Sequence, residues 1–196
     1  MRLEEVENMV AGEILVESEA LLTGHFLLTS GRHAGQYVQC AKVLQEPVYA
    51  NALAKIIAKG FENVEVELVI APAMGGILIG YELARVLGAK SIFTEREDGI
   101  MTLRRGFEIP KGTKVVIAED VVTTGNSARE VLKIANEHGA NVLGVASIVD
   151  RTGGAVDFGV KFVSAFSKKI ISYTQDECPL CKDGIKVVKP GSRVFK

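Results

Sequence analysis

The chain has 196 residues, 47% of them hydrophobic and 24% charged, with a formal net charge of −1. That is enough apolar chain for one substantial core, and the near-neutral balance excludes a broad positive field for nucleic acid, so any anion must be held by local geometry. No apolar run approaches the roughly 20 residues of a membrane span, no charged-then-apolar leader opens the chain, and three cysteines make an odd number for a disulfide scaffold, so a cytoplasmic, reducing compartment is the expectation.

Leu3, Val6, Met9, Val10 and Ile14 recur at helical spacing and predict a helix within residues 3 to 20, followed by β-prone residues from Phe26 to Leu28. Pro47 suits a helix start, and Tyr49, Leu53, Ile56 and Ile57 keep helical spacing up to Gly60. Leu68 to Ala71 reads as a buried strand, Pro72 to Gly76 as a loop, Ile77 to Leu87 as a helix closed by Gly88, and Ser91 to Thr94 as a second strand. Residues 94 to 112 are a charged stretch too long for a simple turn, with a β-prone piece from Met101 to Phe107. Val115 to Ala118 is a buried strand ended by Glu119 and Asp120, a helix runs from about Ser127 to His138 and closes on Gly139, and Val142 to Val149 completes a second βαβ unit with right-handed crossovers. Val160 to Ala165 adds a last strand, and residues 168 to 196, richer in lysine and turn residues, are expected to return over the site.

The chemistry concentrates in VVIAEDVVTTGNS, residues 115 to 127. Glu119 and Asp120 are too polar to continue a buried strand, and their carboxylates should project from its carboxyl edge, where open α/β sheets bind ligands. Thr123, Thr124, Gly125, Asn126 and Ser127 are small enough for a tight loop whose backbone N–H groups, at the start of the next helix, point at an anion. Carboxylates repel phosphate, so the acids suit the 2- and 3-hydroxyls of a ribose while the loop takes its 5-phosphate. An ordinary strand-to-helix turn with solvated acids accounts for one acid better than for the whole run. APAMGGI, residues 71 to 77, again places glycines between a strand and a helix. Alone it is equally a helix start without a ligand; beside the first loop it reads as a diphosphate cradle. Cys178 and Cys181 form one Cys-x-x-Cys turn, but a closed zinc site needs four ligands, Cys40 is the only other cysteine, and His25, His33 and His138 are scattered without metal spacing. Reduced thiols and no protein-ligated metal are the expectation, with pairing across a dimer or reversible oxidation as the alternatives.

This pattern resembles the type I phosphoribosyltransferases, and Glu-Asp-Val-Val-Thr-Thr-Gly-x-Ser is most similar to the orotate phosphoribosyltransferase version. FLLTSGRHAGQYVQC, residues 26 to 40, is similar to the family's Phe-x-x-x-Ser-Gly-x-x-x-x-x-Tyr segment, and SIVDR, residues 147 to 151, to the strand end carrying its orotate-binding arginine. The resemblance implies a doubly wound α/β core with a mainly parallel five-stranded sheet, in one domain with its core at about 47–166 and a small hood from about 20–40 and 168–196. It implies phosphoribosyl diphosphate binding by Glu119, Asp120, Val121, Val122, Thr123, Thr124, Gly125, Asn126, Ser127, Ala73, Met74, Gly75 and Arg96. Orotate would be held by Thr123, Arg151, Phe26, Ser30 and Gly31, with Thr29 and Arg32 in the same hood, and catalysis would rest on Asp120 and Arg96. Magnesium would be bound through substrate and water, and residues 94 to 112 would be a flexible lid reaching across a homodimer.

Two departures stand out. Glu97 and Asp98 precede Gly99 where the family has lysine and histidine, and Thr29 stands where a lysine is frequent. Arg104 and Arg105 are open to two readings, as substitute diphosphate clamps or as part of a solvated charged hairpin. Arg151 is likewise a carboxylate ligand for orotate or half of an ion pair with Asp150 or Asp157. The implied activity is transfer of a phosphoribosyl group to orotate in pyrimidine synthesis; the alternatives are another nucleobase or a phosphoribosyl diphosphate-binding regulator.

Overall fold

The computed structural model describes Val6, residues 9–28 and residues 30–190, so Leu3 and Thr29 lie outside the described residues. In chain order the elements are α1 (Ala11–Glu17), β1 (Leu21–Leu27), β2 (His33–Val38), α2 (Cys40–Leu44), α3 (Pro47–Ala58), β3 (Leu68–Pro72), α4 (Gly75–Leu87), β4 (Lys90–Glu97) and β5 (Ile100–Leu103). They continue as β6 (Lys114–Val122), α5 (Asn126–Glu137), β7 (Asn141–Asp150), β8 (Lys161–Ser167), β9 (Ser172–Tyr173) and α6 (Pro179–Lys182).

The near-continuous apolar runs of the central strands decide the architecture, because a strand buried on both faces needs cover on both sides. Leu68, Ile70, Val115 and Ile117 belong to one core with Ala128, Val131, Ile134 and Ala135 of α5. Their neighbours Val69, Val116 and Ala118 belong to the opposite core with α1, α3 and α4. The sheet therefore lies between two helical layers, in the order β5-β4-β3-β6-β7-β8. The five strands from β4 to β8 are parallel, which agrees with the implied five-stranded core, and β5 adds an antiparallel edge. Gly80 lets α4 close on β3, since a Cβ there would stand 2.8 Å from that of Ala71.

Two elements differ from the sequence expectation. β6 does not stop at the acids but runs on to Val122, because the β-branched Val121 and Val122 pair in register with Val149 and Asp150. Residues 94 to 103 are no open loop either: β4 and β5 form a hairpin whose turn is Asp98-Gly99, at φ 51° and 84°. Asp-Gly with positive φ at both positions is a strong two-residue hairpin signal, and the charge of the stretch masked it.

A second, three-stranded sheet, β1-β2-β9, sits beside the main one, and Val188 bridges to Phe26 at its margin. It brings residues 21–38 and 172–188 together, which is where the hood was expected. Among the described residues no helix is long and apolar enough to cross a membrane.

Candidate active site

The two acids sit at the carboxyl edge of the sheet, held by the loops expected to share their ligand. The Ser127 hydroxyl and the Ala128 N–H both donate to Glu119, tying the end of β6 to the first turn of α5. Burial, then the neighbouring Asp120, pushes the Glu119 carboxyl from 4.5 up to about 7. Burial also raises Asp120, against backbone N–H donors that favour its charge. Gly75 faces this carboxylate so closely that a Cβ would lie 2.7 Å from both of its oxygens. The 71–77 loop and the acid pair therefore form one site, and any side chain at Gly75 would displace Asp120.

On the other side of the pair, Gly125 caps α5 at φ 77°, with Phe158 packed behind it. Thr123, Thr124 and Asn126 are exposed, whereas the Val122 side chain is buried and leaves only backbone atoms to a ligand. Ala73 donates to the Thr94 carbonyl at 2.7 Å, which fixes the second loop to β4, and Met74 is exposed.

Arg151 follows directly after β7, and the ion-pair alternative fails for its neighbour Asp150. The Asp150 carboxylate accepts from Thr152 N–H at 2.8 Å, Thr152 Oγ1 at 2.6 Å, Gly154 N–H at 2.7 Å and Ser167 Oγ at 2.9 Å. These donors outweigh burial and hold its pKa below the usual value. Arg151 Nε, by contrast, is buried with no hydrogen-bond partner among the described residues, as are Thr94 Oγ1 and Ser147 Oγ. Ser147 pairs in register with Glu119, so an unfilled polar atom lies on the same face of the sheet as that acid. Tyr37 is close enough to Arg151 to act on its charge, and Phe26 packs on Tyr37 with ring centroids 5.8 Å apart.

Because Asp150 shapes the 150–154 turn, Asp150→Ala should leave several donors unpaired and cost roughly 2–4 kcal/mol, read as a lower urea midpoint. Its depressed pKa gives the sign with pH: the stabilisation is present above the ordinary carboxyl range and is lost as pH falls through the lowered value. An unchanged midpoint would contradict that role.

The remaining sequence candidates fall less centrally. Arg96 lies near the tip of β4, donating to the Gly99 carbonyl at 2.7 Å and forming a two-pronged contact with Glu130 of α5. Arg104 pairs with Glu95 and Glu97, and Arg105 pairs with Glu95 at 2.9 Å while covering the Phe93 ring. Both arginines are thus paired within the charged hairpin. Ser30 and Gly31 form an exposed turn beyond β1.

Sequence reasoning missed a different convergence. His25, His33, Cys178 and Cys181, read as scattered, present four ligand atoms within 4.8 Å of one another. The pairing of β1 with β2 and the return of the C-terminal segment, neither visible as a spacing, bring them together.

A pair of acids near the end of a central parallel strand, between the starts of two helices, is the arrangement of a ligand-binding α/β protein. The family model for the phosphoribosyl transferase domain matches residues 41–177. The orotate phosphoribosyltransferase of Thermoanaerobacter sp. (strain X514) is 52% identical, over 93% of this chain and 96% of that protein. That of Heliobacterium modesticaldum is 55% identical over 92% and 96%. Among solved structures, the orotate phosphoribosyltransferase of Aeropyrum pernix superposes with a TM-score of 0.67 at 27% identity, covering 81% of this chain and 93% of that one. The chain belongs to the orotate phosphoribosyltransferases, within the phosphoribosyltransferase family.

Proposed function

We propose that the chain transfers the phosphoribosyl group of 5-phosphoribosyl 1-diphosphate to N1 of orotate, giving orotidine 5-phosphate and diphosphate, as a cytoplasmic enzyme of pyrimidine synthesis. The observation that carries the base assignment is Arg151, whose buried Nε has no partner among the described residues while the adjacent Asp150 is fully engaged. A partly desolvated guanidinium with an unpaired Nε suits a carboxylate, which orotate has and other common nucleobases lack.

The bond from the anomeric carbon to diphosphate breaks as its bond to N1 forms, so positive charge grows on the ribose. Glu119 and Asp120 accept from the ribose hydroxyls and place negative charge beside that centre. Backbone N–H groups of Thr123 to Ser127 hold the 5-phosphate, and Ala73, Met74 and Gly75 hold the diphosphate with theirs. Phe26, through its packing on Tyr37, and the Ser30-Gly31 turn close the base side. Two adjacent, half-buried carboxylates supply only oxygen ligands, the donor set that would suit a hydrated magnesium carried in with the substrate. When bound, that ion neutralises the leaving diphosphate.

Arg96 would exchange its Glu130 partner for the diphosphate, in a homodimer whose β4-β5 hairpin serves the neighbouring subunit. Ile100, 70% exposed at the hairpin's outer edge, is consistent with such a contact. Arg96→Ala should then lower kcat by about 10- to 100-fold with little change in the KM for the diphosphate donor. Steady-state kinetics with an unchanged kcat would remove the role.

The assay for the function supplies donor and Mg²⁺ with orotate, uracil, adenine or hypoxanthine and identifies products by chromatography. Orotidine 5-phosphate as the only nucleotide formed is the expected result. Turnover of another base would overturn the substrate, and donor binding without turnover would point to a regulator.

A further inference from the structure

We propose that His25, His33, Cys178 and Cys181 form a structural zinc(II) site that staples the C-terminal segment to the β1-β2 hairpin. All four ligand atoms lie within 4.8 Å of one another, and three of the separations between sulfur and nitrogen approach the edges of a tetrahedral shell. Cys178 Sγ lies 3.5 Å from His25 Nε2, Cys181 Sγ lies 3.7 Å from the same nitrogen and 3.3 Å from His33 Nδ1, and the two ring nitrogens are 2.8 Å apart. A tetrahedron built on Zn–S bonds of about 2.3 Å and Zn–N bonds of about 2.0–2.1 Å has S···N edges of about 3.6 Å and an N···N edge of about 3.4 Å. Small ring movements bring the four atoms onto one ion.

The surroundings match the ligand set. His25 Nδ1 meets the Ile185 carbonyl at 2.6 Å, an oxygen that only accepts, so Nδ1 carries the proton and the Nε2 lone pair faces the cluster. A backbone carbonyl on the far nitrogen is the usual outer support of a metal-bound histidine. His25, His33 and Cys178 are buried, at 3%, 5% and 0% exposure, and Cys178 and Cys181 are not disulfide-bonded. Two thiolates and two imidazoles favour zinc among the common divalent ions. On binding, each thiol loses its proton to solvent and the pair of thiolates balances the ion, so the buried site is neutral overall.

The topology gives the ion a structural purpose. His25 lies where the β1-β2 register shifts between Thr23 and Phe26, a one-residue bulge of the kind that re-aims a side chain. The segment bearing both cysteines meets this hairpin through the two-residue strand β9, the Val188 bridge and a four-residue helix. Those are short elements to hold a chain end, and one ion would join it to the strand that carries Phe26.

The test is elemental analysis of untagged full-length enzyme, expressed with zinc and purified without chelator, together with Co²⁺ loading of the apoprotein. The expected result is about one zinc per chain, loss of it in Cys178→Ser and Cys181→Ser but not in Cys40→Ser, and a tetrahedral thiolate spectrum with Co²⁺. Protein without zinc whose apo form takes up no Co²⁺, zinc retained in both cysteine variants, or a Cys178–Cys181 disulfide in reduced-cell preparations would overturn it. The Co²⁺ spectrum of the unmutated chain keeps the test valid if a variant fails to fold.

Discussion

Glu119→Gln is expected to make the folded chain more stable at pH 8 and close to inactive. The Glu119 carboxyl rises from 4.5 to about 7 on folding because burial and Asp120 disfavour its charge. Stabilisation by its proton is therefore fully present below about pH 4.5 and lost as pH rises through about 7. Above that window the folded state bears a buried charge at a cost of about 3 kcal/mol, taking 1.36 kcal/mol per pKa unit. Glutamine keeps the shape and an acceptor for the Ala128 N–H without the charge. A gain of roughly 1–3 kcal/mol, or several degrees in Tm, follows.

Activity should move the other way. The ionised carboxylate is the stronger acceptor for ribose hydroxyls, so its loss should lower kcat/KM for the donor by about 10²-fold or more. In the unmutated enzyme kcat/KM should also rise with pH through about 7, a limb that the glutamine variant lacks. Thermal melts and a pH-rate profile of both proteins check this, the donor's own phosphate titration being common to the two. A variant that melts lower would contradict the burial argument.

Arg151→Ala should raise the KM for orotate by about 10²-fold, near the roughly 3 kcal/mol of a charge-assisted contact, and leave the donor KM within about 2-fold. The guanidinium is partly desolvated, and burial lowers its pKa, so the free protein bears a cost that the substrate carboxylate would offset. Removing the side chain should for that reason cost little stability. Lysine should restore little, because a point charge cannot replace a planar fork. Initial-rate kinetics with each substrate varied in turn decide it; equal rises in both KM values would move Arg151 from the base to the general integrity of the site.

The parts of the molecule legible in the sequence are those where one local pattern sufficed. Leu68 to Ala71 and Val115 to Ala118 announce buried strands by their unbroken apolar runs, and Gly88 marks a helix end by the left-handed conformation it adopts at φ 70°. The acid pair and Thr-Thr-Gly-Asn-Ser stand in adjacent residues, so the site proposed for the ribose phosphate rests on one local segment. The β4-β5 hairpin was masked because its strands are charged and its Asp98-Gly99 turn lies inside that charge. Long-range contacts left no local trace at all. That Gly75 faces Asp120, that Tyr37 lies near enough to Arg151 to act on its charge, and that His25 and His33 meet the C-terminal cysteines follow only from tertiary pairing.

The proposed site holds a ribose phosphate at one end and a base carboxylate at the other. A crystal structure with orotidine 5-phosphate tests it most directly. The expected complex has the ribose hydroxyls on Glu119 and Asp120, the phosphate on the N–H groups of Thr123 to Ser127, and the base carboxylate on the guanidinium of Arg151. A nucleotide bound with its carboxylate away from Arg151, or its phosphate outside that loop, would contradict it.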